Sequence, residues 1–160
     1  MKIYLASNYS THPEMREHAK TLEALGHEIT SEWINGTHGG DDRALYAQID
    51  LRDVDAADAI IFFAEAPEGS RTRGGKHVEF GYALAKGKRI FLVGKPVNVF
   101  HHLPEVIQRI HFEDLLGLLP HKLELRDVAL AVGYCIRAKG HDGPCNGLPR
   151  NDCSQMEQRA

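Results

Sequence analysis

Short apolar runs alternate along this chain with longer segments whose apolar residues recur at helical spacing. Residues 2–6, Lys-Ile-Tyr-Leu-Ala, read as a short buried strand. Polar loop follows over 7–12, and Thr11, His12, Pro13 and Glu14 have the form of a capping box with proline at the first helical position. Met15, Ala19, Leu22 and Leu25 then mark one helical face, and Gly26 stops the helix. Residues 27–34 alternate partly and predict a second strand; residues 35–42 are loop. A second helix is expected over 43–57, with Leu45, Leu51 and Val54 among its apolar positions. Residues 58–64 contain Ala-Ile-Ile-Phe-Phe-Ala, a continuous apolar run of the kind buried on both faces of a sheet. A loop at 67–76, a helix carrying Glu79 and a strand at 89–93 come next. A short fifth strand is expected at 110–112 and a last helix at 123–138. This alternation predicts an α/β domain over residues 1–138, with a parallel sheet of about five strands covered by helices. Residues 139–160 carry Gly, Pro and polar residues without a period and predict a flexible C-terminal tail.

Composition narrows the class. A 160-residue chain fits one domain with a real core. A formal net charge of -3 leaves no footprint for a nucleic-acid polymer. Cys135, Cys145 and Cys153 are odd in number and lack C-x-x-C spacing, which argues against a disulfide framework or a zinc site. His101 and His102 are adjacent, and no H-E-x-x-H occurs, so no metal centre is expected. The glycine signatures of mononucleotide and dinucleotide loops are missing too, and no cofactor is expected. The first apolar run is too short for a signal peptide or membrane span, so the expectation is a cytoplasmic protein without a membrane partner.

The candidate chemistry centres on Glu79, just past Gly74 and Gly75 and near a helix start. Glycine lets a backbone approach a ligand closely, and a helix N-terminus would keep the carboxylate ionised. An ionised, positioned carboxylate can act as a nucleophile. The plainer reading is a first-turn glutamate complementing the helix dipole. In an open α/β sheet, ligands bind outside the carboxyl ends of the strands. That rule gathers Ser7, Asn8 and Tyr9 after strand one, Trp33 at the end of strand two, and the loop before Glu79. Asp50, on the helix feeding strand three, could point into the same crevice. Two carboxylates would then divide the labour of glycoside chemistry, one attacking carbon and one carrying a proton. Trp33 could stack on a base or fill the core. The stretch Ser70, Arg71, Thr72, Arg73, Gly74, Gly75 and Lys76 suits a phosphate, or is a solvated basic loop. Asp53 and Asp55 read as solvated helix charges, and His77 as a surface or cap residue.

Five segments, in order, resemble the nucleoside 2-deoxyribosyltransferase family, which includes the 2'-deoxynucleoside 5'-monophosphate N-glycosidases. They are Lys-Ile-Tyr-Leu-Ala at 2–6, Ile-Asp-Leu at 49–51, Ala-Asp-Ala-Ile-Ile at 57–61, Val-Glu-Phe-Gly-Tyr-Ala-Leu at 78–84 and Gly-Lys-Pro-Val-Asn-Val-Phe at 94–100. The resemblance implies a flavodoxin-like three-layer fold, Glu79 as the nucleophile that forms a glycosyl-enzyme ester, and Asp50 as the acid/base for the leaving base. It implies that Tyr4 orients the nucleophile, and that Asn98 reaches the sugar's 5' end from a neighbouring subunit of a homodimer or larger homo-oligomer. Its substrates are small-molecule nucleosides or nucleotides. Arg73 departs from the pattern: that position is acidic in the nucleoside-using enzymes and a hydroxyl residue in the monophosphate hydrolases. The alternative is a non-catalytic nucleotide-binding module of the same layout, which would need none of Glu79, Asp50 and Tyr4.

Overall fold

The computed structural model describes residues 1–64 and 74–120. The helix expected at 123–138, the tail at 139–160 and Ser70, Arg71, Thr72 and Arg73 lie outside them. Met1–Pro120 forms one unit. Its strands are β1 (Lys2–Ala6), β2 (Glu28–Ile29), β3 (Ala59–Phe63), β4 (Arg89–Val93) and β5 (Val106–Arg109). All pairings are parallel, in the order β2-β1-β3-β4-β5. The helices are α1 (His12–Ala24), α2 (Arg43–Ala56), α3 (Gly75–Ala85) and α4 (Phe112–Leu116), and each links or follows strands as the alternation requires.

The register explains the layers. Tyr4 pairs with Ile60 and Ala6 with Phe62, so Tyr4, Ala6, Ile60 and Phe62 share one face of the sheet. On that face Phe62 meets Phe80 of α3 edge-on, with ring centroids 5.3 Å apart. Phe63 points to the other face, where it packs against His18 of α1 and Phe112 of α4. Every residue of β3 is buried, as its uninterrupted apolar run requires. Strand order reverses direction at β1 and β3, which makes the crevice beyond their carboxyl ends the topological switch point of the sheet.

Three expected elements differ. The second strand is only two residues long. Beyond it the Ser31 hydroxyl, not a strand carbonyl, accepts the Leu5 N–H at 3.0 Å, and the chain turns into a 3-10 helix at Glu32–Asn35. The capping box does not form: the Thr11 hydroxyl donates back to Asn8 O at 2.7 Å, within a 3-10 turn at Tyr9–Thr11 that precedes α1. The fifth strand lies earlier than 110–112, because Val106–Arg109 are the residues in register with Ile90–Val93; Ile110 is exposed and Phe112 opens α4. On α2, Leu45 is exposed and Asp53 is buried, the reverse of the apolar pattern. Asp53 is not a solvated charge. Its Oδ2 accepts the Glu32 N–H at 2.9 Å, and its Oδ1 accepts two N–H groups of Arg52. It thus ties α2 to the 3-10 helix that carries Trp33.

Candidate active site

A cleft of about 680 Å³ opens at the switch point. From the chain just after β1 it receives Ser7, Asn8 and Tyr9; from the 3-10 helix, Trp33; from α2, Asp50 and Tyr46; from α3 and its N-cap, Gly74, Gly75, Lys76 and Glu79. The 38–43 stretch adds His38, Gly39, Gly40, Asp41 and Arg43. Gly74 caps α3 with φ of 79°, a left-handed conformation that glycine adopts without strain.

Glu79 occupies the fifth position of α3, on its second turn, so it is not the first-turn glutamate of a helix dipole. The residue is half-buried, but its Oε2 is closed off from solvent and has no hydrogen-bond partner among the described residues. Nor does the helix end hold it ionised. Burial, and secondly the negative charge of Asp50, push the Glu79 carboxyl up to about 8, against the opposing pull of Tyr4 and Lys76. Asp50 is raised as well, by burial first, while His38 and Tyr4 hold it down. The Tyr4 hydroxyl interacts with both carboxyls. It is buried in the sheet, meets neither carboxyl in good hydrogen-bond geometry, and is held well above its ordinary phenol range by burial and the adjacent negative charges. It therefore stays a neutral donor. Two carboxyls and one phenol, from three elements, thus meet at one point.

His38 was not singled out in the sequence. Its Nε2 lies 3.1 Å from Asp50 Oδ1, and its ring stacks on Tyr46 with centroids 4.5 Å apart. The Tyr9 ring centroid lies 6.5 Å from that of His38. The Tyr9 hydroxyl donates to Gly36 O at 3.0 Å, and Tyr46 accepts the Gly40 N–H at 3.0 Å. These three rings form an aromatic wall. No periodicity marks His38, because a loop residue twelve positions before Asp50 carries no sequence signal of their contact.

Trp33 lines the cleft yet is only 4% exposed, and its indole N–H is committed to Leu5 O at 2.8 Å. Ser7 Oγ lies 2.9 Å from Thr11 Oγ1, while Asn8 Nδ2 is buried and unpaired among the described residues. Lys76 does not present a free cation to the cleft. Its Nζ donates to Phe63 O at 2.8 Å and to Ala64 O at 3.1 Å. Asn98 does not line the cleft of its own chain. Its Oδ1 accepts the Phe100 N–H at 2.9 Å, capping the 3-10 helix Val99–His102, and its Nδ2 lies 3.3 Å from His77 Nδ1 and 3.1 Å from His101 Nε2. His77 is thus a partner of Asn98, not a surface cap. Among the described residues, no three of His, Cys, Asp or Glu converge as metal ligands, and no helix is long and apolar enough to cross a membrane.

No protein-family model matches the chain, and no curated protein does. Among solved structures it is similar to the CMP N-glycosidase of Clostridium botulinum, at 22% identity and TM-score 0.53, over 78% of this chain and 99% of that one. It is also similar to the 2-deoxyribosyltransferase of Bacillus psychrosaccharolyticus, at 22% identity and TM-score 0.59, over 76% of this chain and 98% of that one. The chain shares their α/β flavodoxin-like fold.

Proposed function

We propose that this protein cleaves the N-glycosidic bond of a nucleoside or nucleoside 5'-monophosphate through a glycosyl-enzyme intermediate. The observation that carries the reading is that Glu79 of α3 and Asp50 of α2 line one cleft at the switch point of the sheet, and that the buried Tyr4 hydroxyl of β1 acts on both. The solved structures that share the fold include an N-glycosidase and a deoxyribosyltransferase, which supports it. In the first step the C1'–N bond breaks, a Glu79 oxygen bonds C1', and the Asp50 proton goes to the departing base. In the second, a new base or water attacks C1', Glu79 leaves, and Asp50 takes the acceptor's proton.

The reaction needs Glu79 ionised and Asp50 protonated. Without substrate near neutral pH, Glu79 carries a proton, since its carboxyl is pushed up to about 8. Substrate binding therefore accompanies proton transfer from Glu79 to Asp50, with the Tyr4 hydroxyl facing both. His38 opposes protonation of Asp50 and so sets how readily that proton is accepted. The aromatic wall of Tyr9, His38 and Tyr46 offers the flat surface a base requires.

The 5'-monophosphate is the favoured form, on the strength of Arg71 and Arg73 in the sequence and of Arg43 on the cleft. Val97, Val99 and Phe100 are exposed around Asn98, and Val78 beside its partner His77. A second copy of the chain covering them, with Asn98 completing the neighbour's site, fits the homo-oligomer that the family resemblance implies.

The test is product analysis with a panel of nucleosides and their 5'-monophosphates, with and without a second free base. Release of free base and sugar marks hydrolysis; a new nucleoside marks transfer. A protein that binds these compounds and cleaves none would be the non-catalytic module.

A further inference from the structure

Lys76 is a buried cation that the two-carboxylate mechanism does not use. It is 5% exposed, sits 5.1 Å from the centroid of the Phe62 ring, and lines the cleft one helical turn before Glu79. Residues three apart on a helix share a face, so the two side chains are neighbours. They make no direct ion pair, because the ammonium is held instead by the Phe63 and Ala64 carbonyls at the carboxyl end of β3. A cation hydrogen-bonded to Glu79 would occupy the lone pair that must attack carbon. A cation anchored elsewhere supplies charge without that contact, and Glu79 Oε2 is indeed unpaired.

We propose that Lys76 is the positioning residue for Glu79: a fixed positive charge, anchored to β3, that supports the ionised nucleophile without touching it. This rests on the proposed role of Glu79. Among the described residues, the charged and titratable groups acting on Glu79 are Asp50 of α2, Tyr4 of β1 and Lys76 itself, and of these only Lys76 is cationic. Those acting with Lys76 are Glu79, which favours its charged form against burial, and His77 and His101, both disfavoured as cations by its charge.

The first test is the pH profile of Lys76→Met, which keeps length and removes charge. The alkaline limb of kcat/KM, where the pair loses the proton that Glu79 passes to Asp50, is expected to move up by about 1 pH unit, since losing an opposite charge raises a carboxyl. At pH 7 the harder transfer of that proton lowers turnover about ten-fold per unit, on a nucleoside and its monophosphate alike, with KM little changed. An unmoved limb overturns the inference. So does a rise in KM confined to the monophosphate, which would make Lys76 a phosphate contact.

The second test needs no turnover. The Lys76 ε-carbon is titrated by NMR in the unaltered protein and in Glu79→Gln, whose amide matches the protonated carboxyl in shape and so keeps the fold. Coupling is reciprocal, so Lys76 is expected to lose its proton at lower pH in the variant, by the shift Glu79 shows in Lys76→Met. No change overturns the inference even if the enzyme cleaves its substrate. A shift in a protein that cleaves nothing on the panel keeps the charge coupling and removes the proposed function.

Discussion

At Glu79 two requirements conflict, and the ionisation of the site follows from the conflict. The proposed nucleophile must be charged, yet the carboxyl is buried beside Asp50 and pushed up to about 8. Glu79→Gln should abolish glycosidic cleavage, with turnover down by several orders of magnitude. It should also stabilise the fold. The carboxyl's ordinary value is 4.5, so the native state binds more protons than the unfolded state from there to about 8, and stability falls as pH rises through that window. Above it the glutamine variant should be more stable by ~2–4 kcal/mol, with the gain vanishing near pH 4.5, as read by thermal melts across pH. Asp50→Asn should act on the neighbour in the opposite sense to Lys76→Met. With the Asp50 charge gone, Glu79 should ionise at lower pH, measured by NMR titration of its carboxyl. Sequence made Glu79, Asp50 and Tyr4 legible because each sits in a short recognisable segment. It did not reveal their ionisation, because burial arises from what α2, α3 and β1 enclose together.

At the scale of elements, α3 carries Glu79, the proposed nucleophile, and its entry is set by Gly74. The left-handed backbone there makes Gly74→Ala costly by ~1–2 kcal/mol although the added methyl meets open space among the described residues. Gly75→Ala, at an ordinary backbone conformation with equal room, should be nearly neutral. Chemical denaturation of the two variants separates backbone strain from crowding, and similar losses for both would refute the distinction. The strands of the sheet were legible from their apolar runs, and β1, β3 and β4 fall where those runs lie. β2 was not, because its continuation is ended by side chains: the Ser31 hydroxyl takes the Leu5 N–H, and the Asp53 carboxylate takes the Glu32 N–H. Polar residues that act as backbone partners look, in sequence, like exposed ones.

Across the whole molecule, two buried groups pull stability in opposite directions with pH. His101 is fully buried and held down to about 4, by burial first and then by the nearby positive charges. Its ordinary value is 6.5, so the unfolded chain binds more protons between there and about 4, and stability is lost as pH falls through that range. Glu79 works against the fold on the alkaline side. Stability should thus peak between these branches, and His101→Phe should flatten the acid branch. Absolute stability drops in that variant, because the Val97 N–H loses its acceptor on the ring, so slope is the measurement to compare. The position of α2 across the cleft from α3 brings out one more consequence. Between Ile34 and Val54 no residue joins the buried core; that stretch of the wall hangs on the contacts of Tyr9 with Gly36, His38 with Asp50 and Gly40 with Tyr46. Glu79 and Tyr4, by contrast, are rooted in the sheet and the helix packed on it. Mutation can therefore rewrite that wall while Glu79 and Tyr4 stay in register, as long as His38 keeps its contact with Asp50. On the proposed function, exchanging residues 37–41 for foreign loops that keep His38 should change which bases are accepted, and leave melting temperature almost where it was.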